Sequence, residues 1–514
     1  MEVTRPLSFG KAERTTFIAL FAMYLLLILY PILRADRYYS DDLVRALTGF
    51  YGWDFNGRHL SMLVMRLLQF NLRQLVDISP LPQLGAIAVL AGTGALISRH
   101  YKISSPWLAT LVTFPLGAQP FFLENLSYRF DALSMALALL CALLPFIACR
   151  PDRKGYLFGG VALFASLNLY QPALSAFLIF MLLEVVAGQI QEKPPRELLL
   201  TLAYRIMQCI VVMALYQLLI APTIEDWLKQ HSQTISSLAQ LGVIKVNAIS
   251  FYSYIGKAFN IHWLRCAVPL LLVAGVIPLF AAIRYVRRLP SISGWRCLPW
   301  VLGGLLIPIL AVLSVTGPML PLLNPVVLPR VLMGIGALLC AGLVASVLIA
   351  QAQGLPSPLV WIQAVLWTLG MTSFASIYGN ALGAQKAYEE RIVSSLTNDV
   401  AALAHERSVQ YILIKGSIGL APITERAAEQ FLLINTLIFP YLREADFHTA
   451  FYLRYYFQNT PELAREPNSQ ARVASILSRA CDAPVLKVTN SYSLQLVENT
   501  VVATFPATSQ DRCL

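Results

Sequence analysis

The sequence predicts a polytopic α-helical membrane protein that ends in a small α/β domain. Of its 514 residues, 57% are hydrophobic and 13% are charged, about half the charged fraction of a typical soluble domain. The mean hydropathy is +0.61. This composition excludes a soluble enzyme and a disordered chain. The net charge is +11. Residues 1–378 carry 27 Lys and Arg against 15 Asp and Glu, a charge of +12, and residues 379–514 carry −1. The basic residues are not clustered as in a nucleic-acid-binding surface.

Eleven apolar stretches approach the length of about 20 residues that a membrane-spanning helix needs. They lie at about 16–33, 81–98, 106–123, 132–149, 155–169, 172–189, 198–221, 263–283, 298–315, 331–350 and 358–378. Residues 155–189 have two interpretations, one long span or two short helices. Tyr170-Gln171-Pro172 favours two helices with a turn between them, because Pro disfavours the helical conformation in the residue before it.

The basic residues predict the orientation of these spans. With the N-terminus in the cytoplasm, the inner loops carry 14 Lys and Arg and the short outer loops carry far fewer, as the positive-inside rule requires. The first stretch lacks a small-residue cleavage site, so we expect it to remain as a span. Eleven spans then place residues 379–514, which we call the tail, outside. Residues 1–378 form the predicted transmembrane domain.

The first outer loop, residues 34–80, shows two amphipathic patterns at helical spacing. One includes Leu43 and Leu47, and the other runs from Leu60 to Val76. We expect both helices to lie in the membrane interface rather than to span the membrane.

The pattern of the tail predicts a separate α/β domain. Its net charge is near zero. We expect helices at 386–407 and 424–439 and strands at 409–415, 484–489 and 493–505. Cys481 and Cys513 are candidates for a disulfide in an oxidising compartment, although the sequence does not supply the geometry that a disulfide requires.

Two adjacent acids, Asp41 and Asp42, follow the first span and begin the first amphipathic helix. One interpretation is an N-terminal cap, in which Ser40 or Asp41 binds free backbone N–H groups. The other is a general base at the membrane surface that accepts a proton from a bound hydroxyl. The two interpretations are compatible, and we favour Asp41 over Asp42 as the base.

A second polar group lies between two spans and contains Glu124, Tyr128, Arg129 and Asp131. We expect it to share a polar cavity with Asp41, the alternative being that short turns are simply polar. Arg58 and Arg330 also lie at the predicted outer surface. Arginine matches phosphate oxygens with a fork of donors, and the alternative for each is an interfacial anchor. Six aromatic residues lie on the predicted outer side: Tyr38, Tyr39, Tyr51, Trp53, Tyr128 and Tyr170. An aromatic belt at the interface explains most of them, the alternative for one or two being stacking on a sugar face.

Several of these motifs resemble the phage-type, O-antigen-modifying glucosyltransferase family, the membrane enzymes of serotype-conversion cassettes. The resemblance begins with Tyr38-Tyr39-Ser40-Asp41-Asp42, Arg45 and Gly57-Arg58. It continues with Glu124-Asn125-Leu126-Ser127-Tyr128-Arg129-Phe130-Asp131, with Tyr170-Gln171-Pro172 and with Tyr378-Gly379-Asn380-Ala381-Leu382. It covers about residues 16–400, and the last 110 residues match no family by inspection.

The resemblance implies a GT-C type glycosyltransferase in the bacterial inner membrane, with its tail in the periplasm. The implied reaction transfers a hexose, glucose by family, from undecaprenyl phosphate to a lipid-linked O-antigen, with inversion and with an acid of the first outer loop as base. The residues expected to bind substrate or phosphate are Arg45, Arg58, Glu124, Tyr128, Arg129, Asp131, Tyr170, Gln171 and Arg330.

The resemblance also defines the expected partners. We expect a donor-making prenyl-phosphate glucosyltransferase and a donor flippase to act beside this chain, and neither a cofactor, a divalent metal nor a nucleic acid to be needed. A polysaccharide or lipid flippase and an O-antigen polymerase remain alternative functions. A flippase does not need the acidic pair, and a polymerase typically lacks such a terminal domain.

Overall fold

The computed structural model describes residues 9–70, 73–149, 152–289, 292, 294–354, 358–444, 446–457 and 470–505. The chain divides into two compact units. The membrane unit comprises Met1–Pro31, Tyr51–Arg73 and Asp77–Ser376, and the loop–tail unit comprises Ile32–Phe50, Gln74–Val76 and Ile377–Leu514. Part of the first outer loop thus belongs to the same unit as the tail. The predicted domain boundary at residue 378 stays a prediction.

Long apolar helices dominate the chain, as the composition predicts. Within the described residues, eight are long and apolar enough to cross a membrane: Lys11–Ala35, Leu81–His100, Gln171–Ile190, Pro195–Thr223, Ile261–Arg288, Gly294–Val315, Gly334–Gln353 and Pro358–Glu406. Shorter helices occupy Pro106–Ala118, Ala132–Ile147 and Arg153–Leu169. All eleven predicted stretches are therefore largely helical, and the count of eleven spans stays a prediction.

The remaining helices are short or lie between these segments. Among the described residues before the tail, they are Asp41–Thr48, His59–Gln69, Phe122–Ser127, Asp226–Lys229 and Gly242–Ala258, with 3-10 turns at Asp54–Asn56, Leu238–Gln240, Gly317–Met319 and Pro329–Val331. The predicted turn at Tyr170 is confirmed: Tyr170 has an extended backbone with φ −161° and ψ 104°, and it separates Arg153–Leu169 from the turn Gln171–Ala173. The second amphipathic helix was expected to reach Val76, but it ends at Gln69, where Phe70 takes a left-handed conformation.

The last predicted span and the predicted tail helix form one helix of 49 residues, Pro358–Glu406. The sequence predicts a break between them at residues 379–385, which contain two glycines. Glycine in a helix interior costs only about 1 kcal/mol, so it does not stop a helix by itself. The break expected between these two elements is wrong.

The tail contains a four-stranded sheet within its described residues. The strands are β1 (Tyr411–Lys415), β2 (Val485–Val488), β3 (Ser493–Val497) and β4 (Thr500–Thr504), in the order β1-β4-β3-β2. Strand β1 pairs with β4 in parallel, and the other pairs are antiparallel. The stretch 493–505 was expected to be extended throughout, but it folds into a hairpin at Glu498, whose φ is +58°.

Helices cover this sheet. The predicted helix at 424–439 is two helices, Pro422–Gln430 and Ile434–Leu437. Two further helices, Phe447–Tyr456 and Gln470–Arg479, were not predicted from the sequence. Side chains alternate along β1: Ile412 and Ile414 enter one hydrophobic cluster and Leu413 enters another, as the two-residue period of a strand requires. Cys481 is disulfide-bonded, whereas Cys513 lies outside the described residues.

The helix Asp41–Thr48 packs its apolar face into the hydrophobic core of the loop–tail unit. Leu43 is 3% exposed, and Val44 and Leu47 pack against the same cluster, which includes Phe451 of the tail. Protein side chains therefore cover this face, and the expectation that the helix lies in the membrane interface stays a prediction. Amphipathic spacing identifies a buried face, but it does not distinguish a protein neighbour from a lipid one.

Candidate active site

The acidic pair begins the helix Asp41–Thr48, and its two members differ in exposure. The side chain of Asp41 is 52% exposed, whereas Asp42 is fully buried. Ser40, which precedes them, has φ +48° and ψ −117°, a conformation that costs about 1–3 kcal/mol for a residue other than glycine. The Ser40 side chain makes no capping hydrogen bond, so the capping interpretation is wrong for Ser40.

A histidine of the tail contacts this helix start. His448 places Nε2 at 3.4 Å from Asp41 Oδ1 and at 3.2 Å from Ser40 Oγ. Its other ring nitrogen, Nδ1, lies 3.1 Å from Asp446 Oδ1, which also accepts the backbone N–H of His448. Asp446 in turn forms an ion pair with Arg443. Asp41 is thus linked to a chain of charged side chains in the loop–tail unit.

The charges around His448 favour the protonated form of this histidine. Burial alone lowers the pKa of His448, but the hydrogen bonds and negative charges of Asp41 and Asp446 outweigh it and raise that pKa to about 9. Burial has the opposite effect on Asp446 and raises its pKa, but the hydrogen bond to His448 and the charge of Arg443 lower that pKa to about 2. At neutral pH the histidine is therefore an imidazolium between two carboxylates.

A buried ion pair anchors the backbone segment that precedes Asp41. Arg37 Nη2 lies 3.1 Å from Glu389 Oε2 on the long helix, with side-chain exposures of 3% and 1%. Glu389 also accepts the backbone N–H of Tyr441 at 2.9 Å, and the Tyr441 hydroxyl donates to the carbonyl oxygen of Tyr38 at 2.8 Å. Buried charges are tolerated only when paired and hydrogen-bonded, and this network meets both conditions.

Arg45 lies in the last turn of the same short helix and is buried. The loop–tail unit thus holds three of the predicted site residues: Asp41, Asp42 and Arg45. The other predicted residues belong to the membrane unit. The prediction that Asp41 and the Glu124 group share one cavity stays a prediction.

In the membrane unit, Arg330 joins the second polar group. Its backbone N–H donates to Glu124 Oε2 at 2.6 Å, its Nη1 lies 3.2 Å from Glu124 Oε1, and Nη1 also donates to the Tyr128 hydroxyl. The carbonyl oxygen of Arg330 accepts from Asn125 Nδ2 and from the Tyr170 hydroxyl, each at 3.2 Å. Three segments distant in sequence therefore meet at one arginine.

The residues of this group are buried rather than exposed in a polar turn. Glu124 is 3%, Tyr128 2% and Asp131 6% exposed. Asp131 Oδ1 accepts the indole N–H of Trp53 at 2.6 Å. Trp53, Tyr128 and Tyr170 are each almost fully buried, so the belt interpretation is wrong for these three rings. We call the following buried and half-buried residues the arginine cluster: Trp53, Arg58, Glu124, Tyr128, Asp131, Tyr170, Gln171 and Arg330.

The three predicted phosphate ligands differ in their present partners. Arg330 pairs with Glu124, and Arg129 Nη1 pairs with Asp77 Oδ2 at 2.9 Å. Arg58 instead donates from Nε to Gln171 Oε1 at 3.1 Å, and its guanidinium lies 4.6 Å from the centre of the Tyr170 ring. Within the described part of the chain, no carboxylate forms an ion pair with Arg58. Its positive charge is oriented but not neutralised.

Gln171 holds several parts of the arginine cluster together. Its Nε2 donates to the carbonyl oxygen of Asn56 at 2.9 Å and to the Tyr216 hydroxyl at 2.8 Å, while its Oε1 accepts from Arg58. The helix break at Tyr170 makes these contacts possible, because it directs the side chains of Tyr170 and Gln171 into the cluster. The motif Tyr170-Gln171-Pro172 is thus a structural junction of the predicted site.

An apolar cavity of about 910 Å³ lies within the membrane unit. Its walls include the rings of Phe121, Phe259, Trp263 and Trp367. Two wall residues are close in sequence to the arginine cluster: Phe121 precedes Glu124 by three residues, and Ile335 follows Arg330 by five. The cavity and the cluster are therefore neighbouring parts of one unit.

Among the residues described, no set of three or more His, Cys, Asp or Glu forms a metal-binding group. The expectation that no metal is needed stays a prediction.

Sequence reasoning missed His448 and Asp446. No sequence pattern connects them with the acidic pair, since His448 is 407 residues from Asp41. The single signal was local: Asp446-Phe447-His448 places an acid two residues before a histidine, where its carboxylate reaches both the backbone N–H and the ring.

Comparison with known proteins agrees with the motif resemblance. Residues 30–341 match the family model described as Glucosyl transferase GtrII. A protein of Salmonella phage P22, described as an uncharacterized 55.3 kDa protein in the gtrB 5' region, is 27% identical over 427 residues, which cover 82% of this chain and 86% of that protein. No solved structure matches. Because the family model spans more than half of the chain, the chain belongs to the GtrII glucosyl transferase family.

Proposed function

We propose that this chain transfers glucose from undecaprenyl-phosphate-glucose to a lipid-linked O-antigen at the periplasmic face of the bacterial inner membrane, with inversion at the anomeric carbon. Membership of a glucosyl transferase family supports the transfer of a sugar. The observation that carries the proposal is the half-exposed carboxylate of Asp41, held in place by His448. A positioned carboxylate is what a single displacement requires as its base.

Asp41 is the better candidate for the base. Its side chain is 52% exposed, so an acceptor hydroxyl reaches it, whereas Asp42 is buried. In the proposed step the carboxylate of Asp41 takes the hydroxyl proton while the acceptor oxygen bonds to the anomeric carbon. The bond from that carbon to the phosphate oxygen breaks, and undecaprenyl phosphate leaves with the electron pair. One base suffices, because the phosphate leaves without protonation.

Arg58 is the best candidate for binding the donor phosphate. Its guanidinium is oriented by Gln171 and Tyr170, and a phosphate supplies the negative charge that pairs with it. Arg330 and Arg129 already pair with Glu124 and Asp77. We assign Arg330 to holding the arginine cluster, with Arg129 as a reserve phosphate ligand.

The apolar cavity of the membrane unit suits the lipid part of the donor. Its wall residues are largely aliphatic and aromatic, and a polyprenyl chain contributes about 0.8 kcal/mol for each buried methylene group. The proximity of Phe121 and Ile335 in sequence to Glu124 and Arg330 supports a continuous path from phosphate to lipid. A free nucleotide sugar has no use for such a cavity.

The proposed orientation follows from the basic inner loops. The N-terminus lies in the cytoplasm and the tail in the periplasm, where the donor becomes available after a flippase has moved it across the membrane. An enzyme that makes prenyl-phosphate glucose and such a flippase are the proposed partners. A periplasm-specific reporter fused at Leu514 is expected to be active, and a reporter active only in the cytoplasm contradicts the orientation.

A transfer assay with purified protein in proteoliposomes tests the function. Undecaprenyl-phosphate-[14C]glucose and a lipid-linked O-antigen acceptor are supplied, and label in the acceptor and the anomeric configuration of the product are measured. We expect label in the acceptor with the opposite configuration from the donor. Movement of the donor across the bilayer without a new glycosidic bond identifies a flippase. Acceptor that lengthens by whole repeats without using the glucose identifies a polymerase.

A further inference from the structure

His448 stands between two carboxylates that come from distant parts of the loop–tail unit. Asp41 belongs to the first outer loop and Asp446 to the tail, and each carboxylate faces a different ring nitrogen. A neutral imidazole has one N–H donor, and only the protonated ring has two. Two acidic acceptors on opposite sides of the ring therefore select the imidazolium by geometry.

We propose that His448 is a positioning residue for glucosyl transfer: its imidazolium orients Asp41 and keeps that carboxylate ionised, and Asp446 fixes the imidazolium. This inference rests on the proposed function, because it takes Asp41 as the base. It gives the tail a role in the reaction. The family model ends at residue 341, so His448 lies outside the segment by which the family is recognised.

The surroundings of His448 restrict its ring to this arrangement. The rings of Phe439, Tyr441 and Phe447 lie 5.8, 6.5 and 5.7 Å from the imidazole ring, centre to centre. The helix Phe447–Tyr456 begins at this point, with Asp446 as its N-cap. The carboxylate of Asp446 that caps this helix also contacts Nδ1 of His448, so the start of the helix sets the orientation of the imidazole ring.

The charge balance at this position is well defined. The charged and titratable groups that face His448 are Asp41, Asp446 with its partner Arg443, and Tyr441, with the Ser40 hydroxyl beside Nε2. Above the pKa of His448, about 9, the positive charge is lost. Asp41 then loses the cation that favours its ionised form and its donor.

Kinetics of His448→Gln test the proposal in the transfer assay. Glutamine retains a hydrogen-bond donor but carries no charge. Hydrogen bonds to charged groups contribute about 1.5–3 kcal/mol, so we expect kcat to fall about 10- to 100-fold with a smaller change in the KM for donor. The acid limb of the pH–rate profile is expected to move to higher pH, because the cation beside Asp41 is gone. His405→Gln is the matched control, since His405 is exposed in the same unit.

A measurement that does not depend on transfer separates this inference from the proposed function. The full chain is labelled with [15N]histidine in detergent micelles, and the His448 signal is assigned by its loss in His448→Gln. We expect the wild-type His448 to titrate near pH 9, and to titrate at least one pH unit lower in Asp446→Asn and in Asp41→Asn.

The outcomes are distinct. Wild-type titration of His448 near pH 6.5 overturns the proposal whether or not transfer is detected. So does a His448→Gln variant with wild-type kcat and an unmoved acid limb. If His448 titrates near pH 9 but Asp41→Asn keeps full transfer, the ion chain exists without serving the reaction and the proposal is again wrong. Absence of any transfer by the wild-type chain contradicts the proposed function instead.

Discussion

The buried pair of Arg37 and Glu389 gives the most quantitative prediction for the loop–tail unit. In Glu389→Gln the guanidinium of Arg37 keeps its charge, with a side chain that is 3% exposed, and loses the carboxylate 3.1 Å away. Breaking a buried pair by removing one partner costs about 3–5 kcal/mol, because an uncompensated charge remains buried. We expect the free energy of unfolding of this unit to fall by about that amount.

An exposed pair in the same unit provides the matched control. Arg426 and Glu429 lie 2.9 Å apart with side-chain exposures of 77% and 56%, and exposed pairs contribute about 0–1 kcal/mol. Glu429→Gln makes the same chemical change, so we expect a loss of less than about 1 kcal/mol. The comparison isolates burial as the cause of the difference.

Pulse proteolysis of the full chain in detergent across a urea series measures both losses. The double variant Arg37→Met with Glu389→Gln is expected to recover part of the stability, since it removes the unpaired charge while glutamine still accepts the backbone N–H of Tyr441. Equal losses in Glu389→Gln and Glu429→Gln refute the reasoning. So does a double variant that is less stable than Glu389→Gln.

Three further predictions concern the arginine cluster and the pairing of His448 with Asp41 and Asp446. Arg58→Lys is expected to raise the KM for donor about 10- to 100-fold, because lysine offers neither the fork nor the contact with Tyr170; unchanged donor kinetics exclude Arg58 as the phosphate ligand. Glu124→Gln is expected to lower the thermal stability of the chain, since Arg330 loses its ionic partner; an unchanged melting curve argues against that role. The stability supplied by His448 is present below about pH 6.5 and is lost as pH rises through about 9, so urea titrations are expected to separate wild type from His448→Gln at pH 6 and to bring them together at pH 10.

The sequence predicts the membrane class and most of the helices, because apolar runs of about 20 residues have few alternative structures. It also predicts the break at Tyr170, where proline restricts the preceding residue. The helix break predicted at the start of the tail is wrong, because the glycines at 379 and 383 do not interrupt the helix Pro358–Glu406. The hairpin at Glu498 was missed because its turn residues, Glu498 and Asn499, lack the glycine that usually marks a tight hairpin turn.

The candidate site shows the same division between local and distant information. Every predicted residue of the arginine cluster was named from local motifs, but the pairing of Arg330 with Glu124 joins residues 206 positions apart. The protein neighbours of the apolar face of Asp41–Thr48, such as Phe451, were not predicted because they lie some 400 residues away. His448 was missed for the same reason. Contacts of this range are set by the fold and leave no period or spacing in the sequence.

The turnover of Asp41→Asn tests the central claim most directly. Asparagine is nearly isosteric with aspartate and suits a helix start about as well, but it does not take a proton. A positioned base contributes about 10²–10⁴-fold in rate, so we predict a loss of glucose transfer of that size in a chain that inserts and accumulates normally. Asp54→Asn, in the same outer loop, is predicted to transfer at the wild-type rate. Transfer by Asp41→Asn within about threefold of wild type contradicts the account, and the base must then be sought at Asp42, Glu124 or Asp131.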